Sequence, residues 1–206
     1  MKLHHVPGAR SCRVRWLLEE LGVPYELASH RLGDPTLRTP EYRALNPLGR
    51  VPTLEDEGVA FYESVAIVQY LLERHGGGRL EPEIGSPERG PYLQWLHYGE
   101  ASIMPPMSTI MAHRFMLPEK DRSEKALEIA RRQVVRALGP IEAVLAGREY
   151  LLGPTFTAAD ITTGYSAHLL RSVGELPDDL PDIHAWLARL GERPAYQTAF
   201  EGGLGV

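Results

Sequence analysis

Two short stretches carry residues whose types and spacing could grip a small peptide-like molecule. The first is Asn46-Pro47-Leu48-Gly49-Arg50-Val51-Pro52-Thr53-Leu54, where a proline stands at the entrance of an expected strand. A proline there withdraws a donor from the ladder and so needs a reason. One reason is a cis Val51–Pro52 bond, which would turn the Val51 backbone outward. Its N–H and C=O could then pair with an extended ligand, in the manner of strand addition. The other reading is an ordinary turn feeding an edge strand, and local sequence leaves both open. The second stretch is Glu63-Ser64, between an expected strand and an expected helix. A helix start offers unpaired N–H groups and partial positive charge, which attract a carboxylate. Ser64 adds a hydroxyl donor and Glu63 an acceptor for an ammonium group, so the dipeptide has partners for both ends of a free amino acid. Read alone, it is also a plain capping pair.

The elements that must position these residues follow from periodicity. Lys2 to Val6 is a short strand closed by Pro7-Gly8, and Arg13 to Leu21 is a helix with Val14, Leu17, Leu18 and Leu21 on one face, stopped by Gly22 and Pro24. Tyr25 to Ser29 is a second strand and Pro40 to Leu45 a turn or two of helix. Val51 to Leu54 and Val59 to Tyr62 are strands joined by an acidic turn, followed by a helix from Glu63 to Arg74. The order β-α-β-α-β-β-α implies a small mixed sheet with helices on its faces. After a Gly-rich stop at 76–78 and a polar, proline-containing linker, only helical signals remain. Ser86 and Pro87 suit a helix start, Pro105-Pro106 must kink or break that helix, and further helices are expected at about 122–146, from near Thr157, and at 183–190. The expected domains are 1–78, a linker at 79–86, and an all-helical domain at 87–206. In the last of these, Thr157 and Asp160 form a capping-box variant flanked by Phe156 and Ile161 as a hydrophobic staple, a folding device rather than a catalytic one.

Composition narrows the function classes. A net charge of -5 argues against nucleic acid as the main partner. The one cysteine, Cys12, excludes an intramolecular disulfide and a multi-cysteine metal site and fits a reducing compartment. The first residues carry no signal-peptide pattern, and no apolar run approaches the roughly 20 residues that span a bilayer. A soluble, cytoplasmic protein with no membrane partner is expected. His4 and His5, adjacent in a strand, point to opposite faces and do not suit a shared metal.

Taken together and in order, the motifs resemble the cytosolic glutathione S-transferase superfamily. The stretch Asn46 to Pro52 followed by Glu63-Ser64-Val65-Ala66-Ile67 is similar to that family's glutathione-site signature. Val6-Pro7-Gly8-Ala9-Arg10-Ser11 and Leu18 to Tyr25 are similar to its opening in bacterial members, and Phe156 to Ile161 to the capping motif of its second domain. The resemblance covers nearly the whole chain. It implies an α/β thioredoxin-like N-terminal domain, an all-α helical-bundle C-terminal domain and a homodimer. It also implies conjugation of glutathione, as co-substrate and with no further cofactor or metal, to a small apolar electrophile. Glutathione-dependent reduction of peroxides or disulfides, and a non-catalytic glutathione-binding role, are the other outcomes on this fold.

On that resemblance, Val51 and Pro52 present the backbone to the cysteinyl part of glutathione, Glu63 and Ser64 hold its γ-glutamyl end, and Arg50 approaches the glycyl carboxylate. The group that activates the sulfur belongs in the loop Pro7 to Cys12. A free thiol has a pKa of about 8.5, so a donor or positive charge beside it must favour the thiolate. Ser11 ranks first for its hydroxyl and Arg10 second for its charge. Cys12, able to form a mixed disulfide, is read first as a packing residue. For the second-substrate pocket the expected residues are Tyr98, Met104 and Met107, with Tyr165 and His168 from a later helix. Methionines suit such an adaptable apolar site.

Overall fold

The fold is described from a computed structural model covering residues 1–203; the last three residues of the region expected to span 87–206 lie outside the described residues. Four strands, β1 (Lys2–His5), β2 (Glu26–Ser29), β3 (Thr53–Asp56) and β4 (Val59–Tyr62), form one sheet in the order β2-β1-β3-β4. β1 and β2 run parallel, joined through α1 (Ser11–Leu21), while β3 is antiparallel to both β1 and β4. α2 (Pro40–Leu45) precedes β3, and α3 (Ser64–Leu71) follows β4 and packs against α1. This is a thioredoxin-like arrangement in the expected order. β3 begins at Thr53, two residues later than the pattern suggested, because Val51 and Pro52 stay outside the ladder.

Leu3 and Leu54 of the sheet and Val14, Leu17, Leu18, Ile67, Val68 and Leu71 of the helices are buried, the helical ones recurring within one face of α1 and of α3. α1 ends at Gly22, whose φ of 67° is the left-handed cap that glycine adopts without steric cost.

The chain forms two compact units, one built from Met1–Glu83 plus the chain from Leu190 on, the other from Ile84–Arg189. The end of the chain thus packs with the first unit, although the sequence pattern had grouped it with 87–206. The reason is a short last helix, α9 (Pro194–Ala199), that covers the outer side of α1. Tyr196 and Phe200 set their rings edge-on to Trp16 at 5.0 and 5.9 Å between centroids. Arg193 adds a two-pronged bond to Glu20 at 2.6 and 2.8 Å.

The second unit is helical: α4 (Arg89–Tyr98), α5 (Met104–Met111), α6 (Glu124–Leu145), α7 (Ala158–Ser172) and α8 (Pro181–Gly191), the last running just past its edge. α4 starts at Arg89 rather than at Pro87, and Ser86 caps no helix; its carbonyl instead accepts the Arg89 N–H in a turn at 3.1 Å. The break expected at Pro105-Pro106 takes the form of a wider turn over Gly99–Ile103, which places both prolines in the first turn of α5, where no N–H is needed. That turn releases the carbonyls of Trp95 and Leu96, and the Thr163 and Thr162 hydroxyls of α7 donate to them at 2.5 and 2.7 Å. A Cβ on Gly99 would lie 2.7 Å from Ser166 Oγ and 2.9 Å from the Thr162 carbonyl, so only glycine fits this crossing.

The α7 start carries the capping box read from sequence. Asp160 is fully buried. Its Oδ2 accepts the Thr157 N–H and hydroxyl at 2.9 and 3.2 Å, and its Oδ1 accepts the Leu151 N–H and Trp186 Nε1–H at 3.0 and 3.1 Å. Burial outweighs these donors and pushes the Asp160 carboxyl up to about 6.

Candidate functional site

The loop before β3 is fixed from below. Asn46, buried at the end of α2, donates from Nδ2 to the Arg50 carbonyl at 2.9 Å and to Thr53 Oγ1 at 3.1 Å, while its Oδ1 accepts the Leu48 N–H at 3.1 Å. The Tyr42 hydroxyl donates to the same Arg50 carbonyl at 2.8 Å, and the Thr53 hydroxyl reaches it at 3.3 Å. Gly49 makes the turn with φ 61°; a Cβ there would lie 2.7 Å from the Leu37 carbonyl. The Val51–Pro52 bond is cis. Val51 packs its side chain against the cluster of Val6, Leu37 and Tyr42, beside Ala9. Its N–H and C=O have no hydrogen-bond partner among the described residues. This is the free main-chain edge that the sequence left open as one of two readings.

Thr53 faces Tyr62 across the β3–β4 hairpin, so the Val51–Pro52 stretch that enters β3 and the α3 start that follows β4 lie at the same end of that hairpin. Glu63, at the N-cap, holds φ 76°, a left-handed backbone uncommon for glutamate, and its carboxylate is exposed. Ser64 is buried, and its Oγ accepts a 3.0 Å bond from Nη1 of Arg13, a fully buried residue of α1. Sequence reasoning did not single out Arg13 or Tyr42, and gave Asn46 no role beyond opening the signature stretch. For Arg13 the available signal was a guanidinium at a position flanked by the apolar face of α1.

The loop between β1 and α1 holds the first-ranked activating group, Ser11, inside the protein. Ser11 is fully buried: its Oγ accepts the Val6 N–H at 3.1 Å and sits 2.9 Å from His5 Nδ1 and 3.2 Å from the Val6 carbonyl. The hydroxyl therefore ties the loop to β1, and its proton is taken up inside the protein. Cys12 is also fully buried, and burial pushes its thiol up to about 12, despite the charges of Arg15 and Arg13, so it is a packing residue and not a nucleophile. Arg10 is half-buried at the N-terminal end of α1, one helical turn before Arg13 and next to Ala9, which touches the Val51 cluster. Of the loop candidates, Arg10 is the one that carries a charge and is only half-buried. The Arg50 side chain is exposed.

His4 and His5 do point apart. His4 bridges Glu55 at 2.8 Å and His30 at 3.1 Å, whereas His5 is buried against Ser11 and is pushed down to about 4, first by burial and then by Arg15.

Of the residues expected to line a second-substrate pocket, three are drawn into the interior of the helical unit, while Tyr98 and His168 are half-buried. Met104, Met107 and Tyr165 are at most 3 % exposed. The Tyr98 hydroxyl donates to the Ala137 carbonyl of α6 at 2.9 Å, and its ring lies against Trp95. His168 is half-buried, its Nε2 is 3.1 Å from the Ser172 hydroxyl, and burial pushes it down to about 4, so it stays neutral.

Residues 3–80 match the family model described as glutathione S-transferase, N-terminal domain, and residues 103–194 match glutathione S-transferase, C-terminal domain. Glutathione S-transferase 3 of Schizosaccharomyces pombe is 30 % identical over 97 % of this chain and 86 % of its own length. Among solved structures, the ternary complex of BphK, a bacterial GST, superposes with a TM-score of 0.84 at 30 % identity, covering 97 % of this chain and 98 % of that one. The glutathione transferase URE2P6 from Phanerochaete chrysosporium, in complex with oxidized glutathione, does so at 0.86 and 27 % identity, covering 97 % and 94 %. Relatives come from fungi, plants and bacteria alike.

Proposed function

The chain belongs to the glutathione S-transferase family, and on that premise we propose that it conjugates reduced glutathione to a small apolar electrophile. The observation that carries this reading is the unpaired Val51 peptide, held by its anchored Arg50 carbonyl at the same end of the hairpin as the α3 start. Val51 pairs with the cysteinyl backbone, Glu63 accepts from the γ-glutamyl ammonium, and Ser64 with the first N–H groups of α3 receives the neighbouring carboxylate. Arg50 meets the glycyl carboxylate. Pro52 holds the shape of the edge and makes no polar contact.

Arg10 stabilises the thiolate by charge, aided by the N-terminal end of α1. Lowering a thiol from about 8.5 by two units takes about 2.7 kcal/mol of preference for the anion. The thiolate then attacks the electrophilic carbon, and the leaving group departs with its electron pair. The gain comes from the larger thiolate fraction and from proximity. The electrophile is taken by the helical unit, where Met111 is half-buried and Phe115 and Met116 are exposed. Because Cys12 is buried and strongly protonated, disulfide reduction through a mixed disulfide on this chain's own cysteine is disfavoured. A homodimer is part of this reading, supported by the exposed Val59 and Tyr62 on β4.

Retention on immobilised glutathione, elution by free glutathione, and turnover of a model aryl halide are the expected results. Failure to bind glutathione under native conditions would refute the proposal. Turnover of cumene hydroperoxide without aryl conjugation would replace conjugation by peroxide reduction.

A further inference from the structure

The proton of the Ser64 hydroxyl is the starting point. A guanidinium has donors and no acceptor, so in the 3.0 Å bond between Arg13 Nη1 and Ser64 Oγ the serine must accept. Its own proton is then left to point elsewhere, and among the described residues nothing accepts it. Ser64 is only 4 % exposed and stands in the first turn of α3, at the same end of the β3–β4 hairpin as the unpaired Val51. A nearly buried hydroxyl with one lone pair occupied from below can satisfy its remaining hydrogen only with an incoming acceptor.

We infer that Arg13 is a positioning residue for the ligand. By occupying the inner side of Ser64 Oγ, it aims the hydroxyl proton outward, so that the start of α3 accepts a carboxylate. This rests on the glutathione reading above and adds to it a residue that touches no ligand atom. Without the guanidinium, the hydroxyl is free to rotate and donate inward, and the α3 start loses its side-chain donor. A lysine would still donate to Ser64, whereas methionine would not. Arg13 is fully buried, so its orientation is set by packing and not by solvent.

The test measures dissociation constants for two ligands, glutathione and 4-aminobutyryl-Cys-Gly, which lacks only the α-carboxylate of the γ-glutamyl group. Wild type is expected to bind glutathione at least roughly 10-fold more tightly than the analogue, which forgoes both the Ser64 bond and those from the first N–H groups of α3. Arg13→Met should weaken glutathione by the roughly 10- to 100-fold of the one Ser64 bond and leave the analogue within about twofold, with Arg13→Lys recovering most of the loss. In a Ser64→Ala background, Arg13→Met should have no further effect on glutathione.

Equal weakening of both ligands would mean that Arg13 only supports the fold and would overturn the inference, as would undiminished glutathione binding by a folded Arg13→Met. If Arg13→Met does not fold, Arg13→Lys and Ser64→Ala decide: Ser64→Ala must lose glutathione selectively, and a uniform loss refutes the idea. If wild type binds neither ligand, the glutathione reading itself fails, a result separate from any difference among variants.

Discussion

Replacing Asp160 by asparagine should destabilise the helical unit by about 3 kcal/mol while leaving glutathione affinity unchanged. In wild type, one carboxylate satisfies four donors with no solvent present. Asparagine keeps an oxygen for the Leu151 N–H and Trp186 Nε1–H and sets an NH2 group against the Thr157 N–H and hydroxyl. The hydroxyl can turn away, but the buried N–H cannot, and an orphaned buried donor costs about 1–3 kcal/mol, with roughly 1 kcal/mol more for the second lost bond. Alanine abandons all four donors and should cost more. Urea unfolding followed by tryptophan fluorescence is a suitable assay, since the indole of Trp186 is itself one of the donors.

Acid supplies a second arm. The Asp160 carboxyl stands at about 6 in the folded protein against an ordinary 3.8. Its folded value is the higher one, so its contribution is fully present below 3.8 and is lost as pH rises through 6, by about 3 kcal/mol in all. The gap between wild type and Asp160→Asn should therefore widen from pH 7 to pH 4.5. A loss under about 1 kcal/mol at pH 7, or alanine no worse than asparagine, would refute the assignment of four working hydrogen bonds.

His5 and His168 act in the opposite sense. Both are pushed down to about 4, so the stability they contribute is present above 6.5 and is lost as pH falls toward 4; Asp160→Asn, lacking the compensating gain, should unfold at a higher pH than wild type on acid titration followed by circular dichroism. Gly49→Ala forces a Cβ to within 2.7 Å of the Leu37 carbonyl at a positive φ, and should cost about 2 kcal/mol or more in thermal unfolding together with a weaker glutathione affinity by calorimetry. Cys12, held at about 12 inside α1, should resist iodoacetamide in the native protein and react at once in urea; rapid native labelling would reopen the cysteine route. Ser11→Ala should lower stability by about 1–3 kcal/mol through the orphaned Val6 N–H and leave the thiolate absorbance of bound glutathione in place, whereas Arg10→Ala should abolish it.

The frame of the site was legible because its marks are local. Proline before a strand, glycine at a tight turn and Glu-Ser at a helix start each act through their own backbone, and Val51, Pro52, Glu63 and Ser64 all came from such marks. Capping works the same way, so Thr157 and Asp160 were readable too, although the Leu151 and Trp186 donors to Asp160 were not. What escaped depends on which way a side chain turns. Ser11 has suitable chemistry in a suitable loop, yet its proton goes to His5 or the Val6 carbonyl. Arg13 marks only a helix start in the sequence, and the fold buries it against Ser64. Met104, Met107 and Tyr165 show the same limit, because helical spacing identifies an apolar face without saying what covers it. The return of α9 to α1 spans more than 170 residues, and no local pattern announces a contact that distant.

That return has a consequence for synthesis. Trp16 leaves the ribosome roughly 180 residues before the aromatic rings that shield it. The whole intervening stretch must be translated before this segment can close over its own indole, and a nascent chain halted before Tyr196 carries a large apolar ring still facing water. A stop codon near residue 190 would thus harm the sheet-containing unit, although that codon lies more than a hundred residues after its last strand.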